Sequence, residues 1–252
     1  MRDGLDAWIA ALLYSSSILV AWGVGWRWGK RDRTGQDDEV EGKFTDASLA
    51  LLGLLLAFTF SMSIDRHDVR RHAVIDDSSA IGDFYTCASL LNEPVRSRLQ
   101  SVVHQYALHK LEVARQPTLD SLNSTINQNL ELQAKMTSLV AEAVNSGTPF
   151  ANTLVAALNN LTSRDAAHLA AFRTRLPGIV VALLLLGAVL PAFLMGLQQG
   201  RSNRGHHFSG VACFLILVVL VIYVIFDLNK PAEGLIVMST QPLEHQIRAM
   251  GN

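Results

Sequence analysis

The chain has 252 residues, 50% of them hydrophobic and 17% charged, with a formal net charge of −1. Soluble domains carry about 25% charged residues, so charge is missing from some part of this one, and a balance near zero supplies no field that would gather nucleic acid. Two cysteines, Cys87 and Cys213, exclude a disulfide framework and a cysteine-rich metal site, and read as buried small hydrophobes.

The missing charge is missing from four segments. Ala7 to Trp26, Ala47 to Ile64, Leu176 to Leu197 and Phe208 to Phe226 contain no Asp, Glu, Lys or Arg. Each runs about 18 to 22 residues, enough to cross a hydrocarbon core of about 30 Å as a helix. They divide the chain into a first transmembrane pair over 1–64, an extramembrane insert over 65–175, a second pair over 176–228 and a C-terminal tail over 229–252. The first segment is too long for a signal-peptide core and lacks a small-x-small cleavage site, so it is expected to stay as the first span.

Trp22, Trp26 and Trp28 cluster where that span ends, as rings that favour the headgroup layer do. Arg27, Lys30, Arg31 and Arg33 follow, and Asp37, Asp38, Glu39 and Glu41 stand between Gly35 and Gly42, which makes 27–43 a polar link.

Small residues recur at spacings of three and four on three of the spans. The first has Ser17, Ala21, Gly25 and Gly29, the second Asp46, Ala50, Gly53, Ala57 and Ser61, and the third Ala188, Ala192 and Gly196. The fourth, with an unbroken apolar run from Phe214 to Val221, has no such stripe and reads as the lipid-facing member. Small faces let helices approach closely, within a subunit or between subunits. A second reading places Asp46 with Thr45, Ser48, Ser61 and Ser63 along a water-filled pathway, since polar groups at membrane depth face cavities. Pro191 is expected to kink the third span.

The insert reads as four helices, over about 65–91, 94–116, 118–146 and 149–176, with no period-two alternation that would give a strand. Asn92-Glu93-Pro94, Gln116-Pro117-Thr118 and Ser146-Gly147-Thr148-Pro149 punctuate it, the last with Thr148 as N-cap and Pro149 at N1. The apolar stripes run Val95, Leu99, Val102, Tyr106 and Val113; then Leu119, Leu122, Ile126, Leu130, Met136 and Val140; then Phe150, Leu154, Leu158, Leu161, Leu169, Phe172 and Leu176, interrupted by Asp165. No Gly or Pro separates Ile64 from Asp65, so the second span is expected to continue into the insert as one rod. Phe172 to Leu176 runs towards the third span, with Pro177-Gly178 intervening.

Where the second span leaves the membrane stands Asp65-Arg66-His67-Asp68-Val69-Arg70-Arg71-His72, followed by Asp76-Asp77. Helical spacing puts Asp68, His72 and Asp76 on one face, a possible proton or metal set, and Arg66 and Arg70 on another. With Arg71, these arginines would attract anions if several subunits assemble. The ordinary alternative is a set of i,i+4 ion pairs on a solvated helix near headgroups, and no metal is assigned. His104 and His109, five apart, face away from each other.

Gly-x-Ser-x-Gly, His-Glu-x-x-His, a Gly-rich phosphate loop and Cys-x-x-Cys are all absent. Neither catalysis nor a cofactor is expected.

Arg70 to Tyr85 and Leu90-Leu-Asn-Glu-Pro94-Val-Arg96 resemble the helix after the second span in the bestrophin-like family of bacterial membrane proteins. Asp227-Leu-Asn-Lys-Pro231-Ala-Glu-Gly234-Leu-Ile236, with Ser239 and Pro242, resembles that family's segment after the fourth span. This chain departs from the family at Asp77-Ser78, where Glu-Ala is usual, and at Ala232, where an aromatic is usual. The resemblance implies an all-α, multi-pass protein of the bacterial inner membrane. By analogy with true bestrophins, pentameric anion channels whose second spans line the pore, it also implies a homo-oligomer that conducts a small anion. The alternative is a membrane-anchored helical scaffold or sensor whose insert binds a protein partner.

Orientation is contested by two arguments. The short loops on one side hold Arg27, Lys30, Arg31, Arg33, Lys43, Arg201 and Arg204, against Arg2, Lys230 and Arg248 on the other. That asymmetry places the insert outside the cytoplasm, whereas the bestrophin analogy and the insert's own basic ends place it inside. The loop charges are given the greater weight.

Overall fold

A computed structural model describes residues 2–31, 38–115, 122–174, 176–201, 208–229 and 239–251, without side chains at 2–11, 38–41, 122–125 and 208–211. The helices are α1 (Arg2–Arg31), α2 (Asp38–Ser89), α3 (Val95–Arg115), α4 (Leu122–Asn145), α5 (Ala151–Arg173), α6 (Gly178–Arg201), α7 (Phe208–Leu228) and α8 (Gln241–Met250). No strand occurs among the described residues, so the all-α class holds. Gly42–Ser89 and Ala151–Arg201 each contain helix long and apolar enough to cross a membrane, and Ala212–Leu228 is a shorter apolar helix.

The two joins behave differently. α2 runs for 52 residues without a break at Ile64-Asp65, as the lack of Gly and Pro there requires. α5 stops at Arg173 because Thr174 turns extended, at φ −74° and ψ 116°. Helix resumes only at Gly178, after Pro177, whose ring disfavours helical geometry in the residue before it. The second join is therefore broken.

The chain divides into two compact units, Met1–His67 with Arg175–Ile236, and Asp68–Thr174 with Val237–Asn252. In the first unit, Tyr14, Ile18, Leu52, Ala188, Ala192, Leu215, Val218 and Ile222 form the core. The small stripes of α1 and α6 meet each other there. A Cβ added at Gly25 would lie 2.1 Å from the Phe193 carbonyl oxygen, and one at Gly196 would lie 2.1 Å from that of Trp22. Gly29 and Gly200 are held as tightly, so the two backbones touch. Tyr14 Oη donates to the Leu184 carbonyl at 2.6 Å and Trp22 Nε1 to Gln199 Oε1 at 3.2 Å. α6 continues through Pro191, which is buried.

α7 does have a buried face, at Leu215, Val218, Ile222 and Ile225, while Ile216, Leu217 and Leu220 are exposed. Cys213, expected to be buried, is exposed. It precedes Leu215 by two positions, about 200° round the helix, and falls on the outer side.

The second unit is built around Ile81, Phe84, Leu99, Val103, Tyr106, Met136, Leu154 and Leu161, with α3 against α4, α4 against α5 and α8 on α3. α4 packs in a different register from the one its leucines suggest: Asn129, Leu132, Met136, Leu139, Val140 and Ala143 are buried, and Leu130 is 57% exposed. Leu130 and Met136 are six apart, about 120° round the helix, so one face cannot hold both. α5 begins two residues later than expected, with Phe150 rather than Thr148 as N-cap. Gly147 ends α4's turn at φ 77°, a conformation that glycine adopts without strain. Glu93 holds the start of α3, accepting from the Ser97 N–H at 3.2 Å and pairing with Arg96 at 2.7 Å.

The C-terminal segment ends in α8, which seats Leu243 and Met250 in the core of this unit. Tyr85 Oη donates to the Met250 carbonyl at 3.0 Å and Arg115 pairs with Glu244 at 2.9 Å. Gln116-Pro117-Thr118, Leu119, Arg33, Arg204, Lys230, Pro231 and Gly234 lie outside the described residues, and Leu122 is described by its backbone alone.

Candidate functional site

On α2 the residues expected to line a pathway fall on two faces. Asp46, Ala50, Gly53, Ala57 and Ser61 are all exposed, and a Cβ added at Gly53 would meet no described atom within 4 Å. Thr45, Leu52, Thr59 and Ser63 are buried on the other side. Thr45 Oγ1 accepts from Gln198 Nε2 at 2.9 Å, and Ser48 donates to the Thr45 carbonyl at 2.8 Å. The small stripe of α2 is thus left open, while those of α1 and α6 are filled by each other. Thr45 and Ser63 belong to packing rather than to that open face.

The arginines separate as well. Arg66 is half-buried, Arg71 exposed and Arg70 only 1% exposed. Asp227 is buried. Asp68 and His72 are exposed, and Asp76 forms an ion pair with Arg164 at 2.7 Å. The face shared by Asp68, His72 and Asp76 does not gather a ligand set among the described residues.

What the fold does gather is a different group, in the core of the second unit. α3 carries an apolar face at Leu99, Val103, Tyr106, Ala107 and Leu111, and Lys110 lies on that same face. A buried ammonium has a high desolvation cost unless it is paired. Two carboxylates pair it: Asp77 from α2, and Asp165 from α5, whose Oδ1 is 2.6 Å from Lys110 Nζ. Gln133 of α4 donates from Nε2 to Asp165 Oδ2 at 2.8 Å and reaches Tyr106 Oη at 3.4 Å. His168 Nδ1 lies 3.4 Å from Asp77 Oδ2, and Phe172 stands edge-on to its ring at 4.7 Å. Four helices thus meet at one set of polar groups.

The electrostatics follow from burial opposed by partners. Burial alone would push the Lys110 ammonium down, but Asp77, Tyr106 and Asp165 overturn it and hold the group above its ordinary range. Burial pushes the Asp77 carboxyl up, while the hydrogen bond from His168 and the charge of Lys110 bring it below the ordinary aspartate value. Burial raises the Tyr106 phenol, against a smaller lowering by Lys110. At neutral pH, then, Lys110 is charged, Asp77 ionised and Tyr106 protonated.

Asp77, Asp165 and His168 bring one ligand atom each within 4.8 Å of one another, a spacing that could suit a metal ion. The Lys110 ammonium lies against both carboxylates, one positive charge shared between two negative ones. The group is accordingly an ion-pair cluster. Asp165 stood out in the sequence as the exception in an apolar stripe, whereas Lys110 did not, although its place between Tyr106, Ala107 and Leu111 was a signal that could have found it.

The sequence model of the Bestrophin-like domain matches residues 11–243 of the chain. No curated protein and no solved structure matches it.

Proposed function

We propose a function for this chain from the premise that it belongs to the bestrophin-like family: it is a multi-pass membrane protein, copies of which assemble around an ion pathway lined by α2. Its spans are α1, the apolar part of α2 around 47–64, α6 and α7, and the insert forms a helical body outside the bilayer. The cell inner membrane is its site, and the charged short loops favour an extracytoplasmic insert.

One observation carries the reading. Of the three small-residue stripes, those of α1 and α6 are consumed by each other, whereas the stripe of Asp46, Ala50, Gly53, Ala57 and Ser61 on α2 is exposed, and a Cβ added at Gly53 would meet no described atom within 4 Å. A narrow, partly polar helical face left open in this way suits a central pathway or a neighbouring subunit. Arg66 and Arg71, just beyond the apolar run, would favour a small anion over a cation; Arg70, being buried, would contribute charge but no contact. No catalytic chemistry is assigned.

The test is flux. Purified protein in liposomes should pass chloride under an imposed gradient, and Asp46→Asn or Arg71→Glu should change the anion-to-cation ratio. Silence under both polarities would overturn the pathway, and a monomer in detergent would overturn the ring; either result would favour a membrane-anchored scaffold.

A further inference from the structure

In the cluster of the second unit, two carboxylates face one permanent cation. Asp77 and Asp165 share Lys110, so two carboxylates meet one ammonium in this cluster. The fourth titratable member is His168, whose side chain is 23% exposed and so within reach of solvent protons. Its Nδ1 is 3.4 Å from Asp77 Oδ2. Asp77 Oδ1 is buried and accepts no hydrogen bond among the described residues, so this carboxylate has room for a further donor.

The charged surroundings of His168 can be named helix by helix. α2 offers Asp77, and Asp76, which is tied to Arg164. α3 offers Lys110 and Tyr106, and α4 offers the neutral amide of Gln133. On α5 itself stand Arg164 and Asp165. Among the described side chains of this cluster His168 is the one imidazole, the side-chain type that serves as a proton switch near neutral pH.

We propose that His168 is a proton-binding site that fastens α5 to α2. Protonated, the imidazolium is the fourth charge of the cluster: it sets a second positive charge beside the two carboxylates and donates a charge-assisted hydrogen bond from Nδ1 to Asp77. Neutral, it leaves Asp77 and Asp165 to share the Lys110 ammonium, and α5 is held less firmly. The Asp76–Arg164 pair is half-exposed on both sides and adds little. This inference does not depend on ion conduction.

Hydrogen–deuterium exchange of the full chain in detergent, corrected for the intrinsic pH dependence of exchange, tests it. Peptides from α5 should be about tenfold better protected at pH 6 than at pH 8, the effect expected of one charge-assisted bond. His168→Gln should abolish the difference, and His104→Gln on α3 should preserve it. Equal protection of wild-type α5 at the two pH values overturns the proposal, as does a pH difference that survives in His168→Gln. If His168→Gln fails to fold, the wild-type comparison decides alone.

Discussion

Lys110 Nζ lies 2.6 Å from Asp165 Oδ1, so an ammonium on α3 and a carboxylate on α5, 55 positions apart in the chain, meet inside the second unit. Removing one partner of a buried pair leaves the other charge uncompensated, at a cost of about 3–5 kcal/mol. Lys110→Ala is therefore expected to lower the unfolding midpoint of the insert strongly. Thermal melts followed by circular dichroism in detergent measure it, and a loss below about 1 kcal/mol would mean that the pair is a surface-like contact.

The same cluster sets a pH window. Asp77 is held below its ordinary value of 3.8 in the folded state, so its contribution is complete above that value and is lost as pH falls through the depressed one. Lys110 is held above its ordinary 10.5, so its contribution is complete below that value and is lost as pH rises through the raised one. Denaturant midpoints should fall in acid below about pH 4, and Asp77→Asn should flatten that limb. An unchanged acid limb in the variant would assign it to other carboxylates.

Gly196→Val should disrupt the contact of α1 with α6, because the added Cβ would sit 2.1 Å from the Trp22 carbonyl oxygen, a backbone atom that cannot swing aside. Overpacking of this kind typically costs about 1–3 kcal/mol. Gly53→Val on α2 meets no described atom within 4 Å and should leave the unfolding of a single subunit unchanged. If copies assemble through that face, the same substitution should alter subunit number or flux. Cross-linking and liposome assays on the matched pair separate the two outcomes.

Tyr85→Phe removes the hydroxyl that donates to the Met250 carbonyl at 3.0 Å. The expected loss is about 1 kcal/mol, read as earlier proteolytic cleavage near the C-terminus. Gly82→Val should act no more strongly in the same assay, since its Cβ would fall 2.4 Å from Gln246 Oε1, the end of a flexible side chain that can swing aside. Unchanged cleavage in Tyr85→Phe would mean that α8 is held by Leu243, Met250 and the Arg115–Glu244 pair.

Much of this architecture can be read from residue order. Helix limits follow from Gly147 and the Asn92-Glu93-Pro94 turn, and the continuity of α2 follows from the lack of any breaker near Ile64. The stripes of α1 and α6 were visible, but their mutual contact was not, because spacing along one helix does not say which other helix it meets. The cluster was half visible. Asp165 interrupts an apolar face, yet Lys110 sits among Tyr106, Ala107 and Leu111 and passes for a snorkelling surface lysine until a partner is known. The register of α4 departs from its leucine pattern for a simpler reason: Leu130 is apolar and exposed, and apolar residues are common on the outside.

The glycine contact of α1 with α6 also constrains how the protein is made. Gly25 and Gly29 find their partners at Phe193 and Leu197, more than 160 positions downstream. At about 5–20 residues per second, a ribosome needs on the order of 10 to 30 s to reach them. Throughout that interval α1 has been synthesised without the surface that covers its small face, and the whole insert is translated in between. The glycine face of α1 is thus made well before the α6 backbone that packs on it.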